Sequence, residues 1–181
     1  FLLAGIYSRS NQQDKALTQL NEIYSRDPNQ TTALMLASVI HDQLGNYTAA
    51  REKKKKMIAT NPRSAVALNN LAYLYSERLN DLAKALELAQ KARQLMPNDP
   101  HSADTLGWIL FKKRQYARAL TLLTDGAEKQ PANAEIQYHL GLTQYMMGAE
   151  VEARAALQRA LQLDPAAAWL AAANQALAIL D

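Results

Sequence analysis

Apolar residues recur along this chain at steps of three and four, the spacing that gathers side chains on one face of an α-helix. Leu68, Leu71, Ala72 and Tyr75 form one such run, and Leu140, Gly141 and Tyr145 a looser one. The runs are interrupted on a ruler. Pro28, Pro62, Pro97, Pro131 and Pro165 lie 34, 35, 34 and 34 residues apart. A proline cannot continue a helix and pushes its predecessor out of the α region, so each one ends a helix. Asn, Asp or Gln adjoins each: Asp27-Pro28-Asn29, Asn61-Pro62, Pro97-Asn98-Asp99-Pro100, Gln130-Pro131 and Asp164-Pro165. The Asn and Asp side chains can cap the helix that follows. A second break falls midway in each interval, at Ser10-Asn11-Gln12, Gly45-Asn46-Tyr47, Leu79-Asn80-Asp81, Lys113-Arg114-Gln115 and Gly148-Ala149-Glu150. The pattern predicts pairs of antiparallel helices of about 13–15 residues joined by short turns. Five such pairs and one terminal helix use nearly the whole chain, and no strand-like alternation survives. The predicted repeats span about 1–29, 30–63, 64–98, 99–132 and 133–165, with a terminal helix over 166–181.

Composition supports the all-α reading. Ala and Leu account for 33 and 28 of the 181 residues, while Gly and Pro number six each. Ala and Leu lose little freedom in a helix. A hydrophobic share of 49% excludes a disordered tail, and 20% charged residues with a net charge of +3 exclude a polycationic nucleic-acid arm. The absence of cysteine excludes a disulfide scaffold, thiol chemistry and Cys-ligated metal, and leaves the compartment open. No uncharged apolar stretch is long enough to cross a bilayer. The opening Phe1-Leu2-Leu3-Ala4, without Met or a basic leader, reads as the start of an excised piece.

In register, these residues resemble the tetratricopeptide repeat, a 34-residue helix–turn–helix. The paired apolar-and-small slot of the first helix reads Leu3-Ala4, Ala37-Ser38, Leu71-Ala72, Leu106-Gly107 and Leu140-Gly141. The small residue opening the second helix is Ala16, Ala50, Ala85, Ala119 and Ala153, and the slot four residues on holds Leu20, Ala89, Leu123 and Leu157. Lys54 departs from that last slot, and His41 and Gln144 replace bulky apolar residues. Gly126 should loosen the fourth repeat. The extra residue of the third should lengthen the turn within 76–81, and the second should be the least regularly packed. The stretches Leu68-Asn69-Asn70-Leu71-Ala72-Tyr73, Asp104-Thr105-Leu106-Gly107-Trp108 and Tyr138-His139-Leu140-Gly141 also resemble the last repeats of large bacterial repeat proteins. Some of these accompany exopolysaccharide and PEP-CTERM protein-sorting systems as exported lipoproteins. Both a periplasmic or exported and a cytoplasmic setting therefore stay open.

The resemblance implies a single array wound into a right-handed α-α superhelix, with the first helix of each repeat lining a concave groove. Candidate groove residues are then Asn69, Asn70 and Tyr73; Asp104, Thr105 and Trp108, with Phe111; and Tyr138, His139, Leu142 and Tyr145. The second repeat offers Thr32, Met35, Leu36 and Val39. Trp108 and Tyr73 are the expected anchors of a binding surface; the competing reading is that Trp108, Phe111 and Tyr145 fill gaps between repeats. A carboxylate clamp of Lys, Arg and Asn fails, because Leu36, Val39, Thr105 and Trp108 stand where cations are needed. A segment with apolar side chains fits better.

Other chemistry is thin. Arg51 and Lys53 to Lys56 form the one basic run, without the interleaved aromatics of nucleic-acid binders, and read as a solvated helix face. His101, Asp104 and His139 could meet as a metal trio but lack further ligands, so neither a metal nor a cofactor is expected. No phosphate loop, nucleophile elbow or metalloprotease motif is present. The expected function is a non-enzymatic scaffold holding a protein or peptide segment. The alternatives are a self-associating assembly module of a bacterial export or polysaccharide-secretion system, joined through its terminal helices, and an anionic-surface binder using the basic helix.

Overall fold

The computed structural model describes residues 1–180; Asp181, the last residue of the predicted terminal helix, lies outside them. Eleven α-helices follow one another among the described residues: α1 (Leu2–Arg9), α2 (Gln13–Arg26), α3 (Thr31–Gln43), α4 (Tyr47–Thr60), α5 (Ala65–Glu77), α6 (Leu82–Leu95), α7 (Pro100–Lys112), α8 (Tyr116–Lys129), α9 (Ala134–Met146), α10 (Glu150–Leu163) and α11 (Leu170–Leu180). All five prolines of the ruler fall between helices. The Asp or Asn before three of them accepts a hydrogen bond from the backbone N–H two residues on: Asp27 from Asn29, Asn61 from Arg63 and Asp164 from Ala166. These are Asx turns around the proline rather than helix caps. Of the expected residues Asp99 does cap its helix, accepting from the N–H of Ser102, while Ser64 and Asn133 cap theirs by accepting from the N–H of Ala67 and Ile136.

The midway turns keep a ruler of their own. Asn11, Gly45, Asn80, Arg114 and Gly148 each hold a positive φ, between 51° and 76°. One left-handed residue at the same point reverses the chain in every pair. Four turns have three residues and the one after α5 has four, the lengthening the extra residue predicts. Arg114 is the costly occupant, because a side chain in this region costs about 1–2 kcal/mol. Glycine would remove that strain while adding some unfolded-state entropy. The Arg114→Gly variant should therefore be more stable by about 0.5–1 kcal/mol in urea unfolding; an unchanged midpoint would show that the turn carries no strain.

The described residues form two compact units, Phe1–Leu88 and from Ala89 onward. In the first, α1 packs on α2, α2 on α3, α3 on α4 and α4 on α5. In the second, α7 packs on α8, α8 on α9, α9 on α10, and successive first helices α7, α9 and α11 also touch. α11 meets α10 and α9 just as α9 meets α8 and α7, so it occupies the place of another first helix. It starts at Leu170 rather than 166, after a turn that frees Trp169 to pack elsewhere.

The small slots explain the close pairing. Ala16, Ala50, Ala85, Ala119 and Ala153 have no accessible surface. A Cβ on Gly107 would lie 2.7 Å from Leu123 Cγ, and one on Gly141 2.7 Å from Leu157 Cγ. Gly126 does the opposite of what its composition suggests. A Cβ there would sit 3.3 Å from the Pro100 carbonyl and 3.5 Å from Ile136, so this glycine lets α8 close on its neighbours. Arg93 ties the same region, donating to the Asp99 carbonyl at 3.0 Å and to Asp125 Oδ2 at 2.6 Å. Asp125 also takes Lys129, and these two cations, Lys129 first, hold its carboxyl below the usual carboxylate range.

The basic run is not one solvated face. Lys53 and Lys56 lie over the Tyr24 ring at 5.8 and 5.0 Å, and Lys53 also donates to Asn21 Oδ1. Arg51 and Lys55 meet Glu52. Lys54 points into the core and is 6% exposed. Its Nζ donates to Ser38 Oγ at 3.3 Å, and that hydroxyl donates on to the Met35 carbonyl. Burial holds the Lys54 ammonium below the ordinary lysine range, with the Asp42 carboxylate partly opposing. The second repeat thus carries its irregularity as a buried charge in an otherwise apolar slot.

Candidate functional site

The first helix of a repeat buries its Leu and small residues against its partner, and the positions just before and after that pair are left at the edge of the core. In the first unit this gives α3 an apolar outer row. Met35, Leu36 and Val39 keep a third to a half of their surface exposed. Leu36, Val39 and Ile40 face Phe1, Leu2 and Gly5 across a cleft of about 630 Å³, with Arg9 and Gln43 among its lining. On α5, Asn69, Asn70 and Tyr73 are half-buried. Asn69 Oδ1 is buried without a hydrogen-bond partner, as are His41 Nδ1 and Asp42 Oδ1 on α3. Burial, then the nearby Lys53, lowers the His41 pKa.

The second unit gathers most of the remaining candidates into one cluster. Asp104 and His139 lie on successive first helices, and Asp104 Oδ1 meets His139 Nδ1 at 2.7 Å. The Trp108 ring stacks on the His139 ring at 4.0 Å and 14°, and on Phe111 at 4.7 Å and 9°. Tyr138 stacks in turn on Trp169 at 4.5 Å and 8°. The Lys112 ammonium sits 5.7 Å from the Trp108 ring centre. Leu142 packs into the same core with Trp108, Trp169 and Leu157.

This arrangement ranks the predicted residues by access. Thr105, Tyr138 and His139 are buried at 7%, 7% and 4%. Asp104, Trp108, Phe111, Leu142 and Tyr145 are half-buried. Trp108 therefore offers a partner what its stacked neighbours leave uncovered, and its position is set by rings from two helices rather than by its own rotamer preference. His101 turns away from Asp104 toward Gln130, at 3.4 Å. Among the described residues no three His, Asp or Glu side chains are close enough to hold a metal ion, and no helix is long and apolar enough to cross a membrane. Trp169 was invisible to motif reasoning. It lies in the turn before α11, and only the stacking of a further first helix brings it onto Tyr138.

The helix pairs and the exposed faces of their first helices define a helical-repeat scaffold for protein interaction. A family model for the tetratricopeptide repeat matches residues 1–59 and 105–168, more than half of the chain, and the chain belongs to that family. It is 30% identical over 134 residues to TPR repeat-containing protein PA4667 of Pseudomonas aeruginosa, covering 74% of this chain and 22% of that protein. It is 26% identical over 170 residues to the human protein O-mannosyl-transferase TMTC1, covering 90% of this chain and 19% of that protein. The chain thus spans about a fifth of these relatives. Among solved structures it is similar to PilW, a widely conserved type IV pilus biogenesis factor, with a TM-score of 0.79 at 21% identity over 99% of this chain and 87% of the other. It is also similar to YrrB, a TPR protein with an unusual peptide-binding site, with a TM-score of 0.67 at 21% identity over 95% and 88%. These two likenesses establish the fold.

Proposed function

We propose that the chain is a non-catalytic scaffold that holds a protein or peptide segment with apolar side chains on the outer rows of its first helices. The observation that carries this reading is the α3 row. Met35, Leu36 and Val39 stay exposed, the last two in a cleft of about 630 Å³, although the same helix buries Leu34, Ala37 and Ile40 almost completely. Apolar side chains left in water at the mouth of a concavity are the usual mark of a binding surface. The peptide-binding site named for YrrB, a protein of the same fold, agrees with it.

The test is a displayed random peptide library selected on the whole chain. Enriched peptides should share apolar side chains and bind in isothermal titration. The paired substitution Leu36→Asp and Val39→Asp should weaken them at least about tenfold, since each buried aliphatic contact is worth about 1.5–3 kcal/mol, while helical content stays unchanged. Affinity indifferent both to this pair and to Trp108→Ala would remove the first-helix rows as the site.

A further inference from the structure

We infer that His139 Nε2 is a preformed hydrogen-bond acceptor for an N–H group of a bound peptide, with Asp104 and Trp108 as its positioning residues. The inference rests on the scaffold reading above and names one chemical feature its ligand must carry.

A neutral imidazole carries one ring proton. The Asp104 carboxylate can only accept, so at 2.7 Å it draws that proton onto Nδ1. Nε2 is left as a bare lone pair on the opposite edge of the ring. Two rings then fix where that lone pair points: Trp108 stacks on the imidazole at 4.0 Å and Tyr138 lies tilted against it at 5.6 Å. A carboxylate, a stacked ring and a bare ring nitrogen are the parts of a rigid acceptor.

The surroundings make this acceptor consequential. The His139 side chain is 5% exposed, yet Nε2 makes no hydrogen bond among the described residues and is not one of the buried atoms left without a partner. It therefore keeps a small opening to solvent beside the Trp108 and Tyr138 rings. A ligand that covers that opening must replace the lost water with a donor, or leave an acceptor buried and unpaired. A metal ion would ask for further ligands, and none stand near enough among the described residues. A peptide brings an N–H donor with it, on its backbone or on a side-chain amide or indole.

Two measurements on the 181-residue chain test this. The first uses no ligand: the ¹⁵N-histidine spectrum should show His139 protonated on Nδ1 and bare on Nε2. A proton on Nε2, in either the neutral or the cationic ring, overturns the inference. The second takes peptides enriched from the displayed library and scans each with single N-methyl and single alanine substitutions, which separate backbone from side-chain donors. One position should cost about tenfold, the worth of one satisfied hydrogen bond in a closed site. The Asp104→Asn variant, whose amide N–H favours the proton on Nε2, should erase that cost, and His139→Phe should keep the ring stack but lose the same factor. A scan with no sensitive position, or an equal cost in Asp104→Asn, overturns the inference while leaving the scaffold reading in place. A library that enriches nothing ends the scaffold reading itself.

Discussion

Replacing Lys54 by leucine will stabilise the first unit, by about 1–3 kcal/mol at neutral pH. The ammonium is 6% exposed, and it donates to the Ser38 hydroxyl 3.3 Å away. Taking an ammonium out of water costs several kcal/mol, which one long hydrogen bond and an opposing carboxylate repay only in part. In three of the other four repeats Leu20, Leu123 and Leu157 fill the slot with 1% or less of their surface exposed, so leucine suits the cavity in this architecture. Little is lost with the amine. Ser38 keeps its bond to the Met35 carbonyl, Asp42 keeps Arg78 at 3.8 Å, and Lys and Leu have similar helix propensities. Hydrogen exchange of α3 to α5 is the right measure, because a repeat array can open one part before another. Faster exchange in the variant would mean that the Ser38 and Asp42 contacts compensate the charge fully.

The same substitution carries a pH signature. Burial holds the folded Lys54 pKa below its unfolded value, so on the alkaline side the unfolded chain binds more protons than the folded one. Wild-type stability therefore rises as pH climbs through that window toward about 10.4. The advantage of Lys54→Leu is full at neutral pH and shrinks as the amine deprotonates. Lys53, also held low by burial and then by Lys56, is present in both proteins and cancels from the comparison. A difference constant from neutral to alkaline pH would place the charge in water rather than in the core.

Lys54 also shows how far the sequence could be read. Its slot was legible, because five alanines four residues upstream keep the register, but a basic run around it suggested a solvated face. Helical geometry separates neighbours by about 100°, so one lysine of such a run turns inward while the others find Tyr24, Asn21 and Glu52. The ten helices of the repeats and the turns within each pair were legible because the breaks and the small slots act locally, whereas the start of α11 at Leu170 was not. The candidate site was legible as a set of positions and not as an arrangement. Periodicity puts Trp108 on the outer row of α7, but whether its faces are open depends on Phe111, on His139 from the next repeat and on how closely α9 approaches. That distance is set by contacts between helices, which no single helix reveals.

Gly141 sets how closely α9 approaches α10 within its own repeat, and a cycle with Leu157 measures it. Leu157 is fully buried against Gly141, and Leu157→Ala should cost about 2–5 kcal/mol by emptying the slot. Gly141→Ala inserts a methyl 2.7 Å from Leu157 Cγ, 3.0 Å from Cδ2 and 3.1 Å from the backbone nitrogen of the same residue. The side chain can move aside, but the nitrogen can do so only with α10. An overpacking cost of about 1–3 kcal/mol thus outweighs the gain of about 1 kcal/mol from replacing a helical glycine, for a net loss of about 0–2 kcal/mol. Gly107→Ala should cost less, because the nearest backbone atom of α8 there, the Ala119 carbonyl oxygen, is 3.4 Å away. In the double variant the new methyl occupies part of the space the leucine left, so the loss should fall short of the sum of the single losses by at least about 1 kcal/mol in urea unfolding. Strict additivity would mean that the two residues do not share one packing site. The consequence reaches the site through α9 itself: Tyr138 and His139 stand two and three residues before Gly141, so a methyl that pushes this helix from α10 also shifts the imidazole against Asp104 and Trp108. Gly141→Ala should then change Trp108 fluorescence, whereas Gly148→Ala, with open space around its Cβ and only backbone strain to bear, should leave it unchanged.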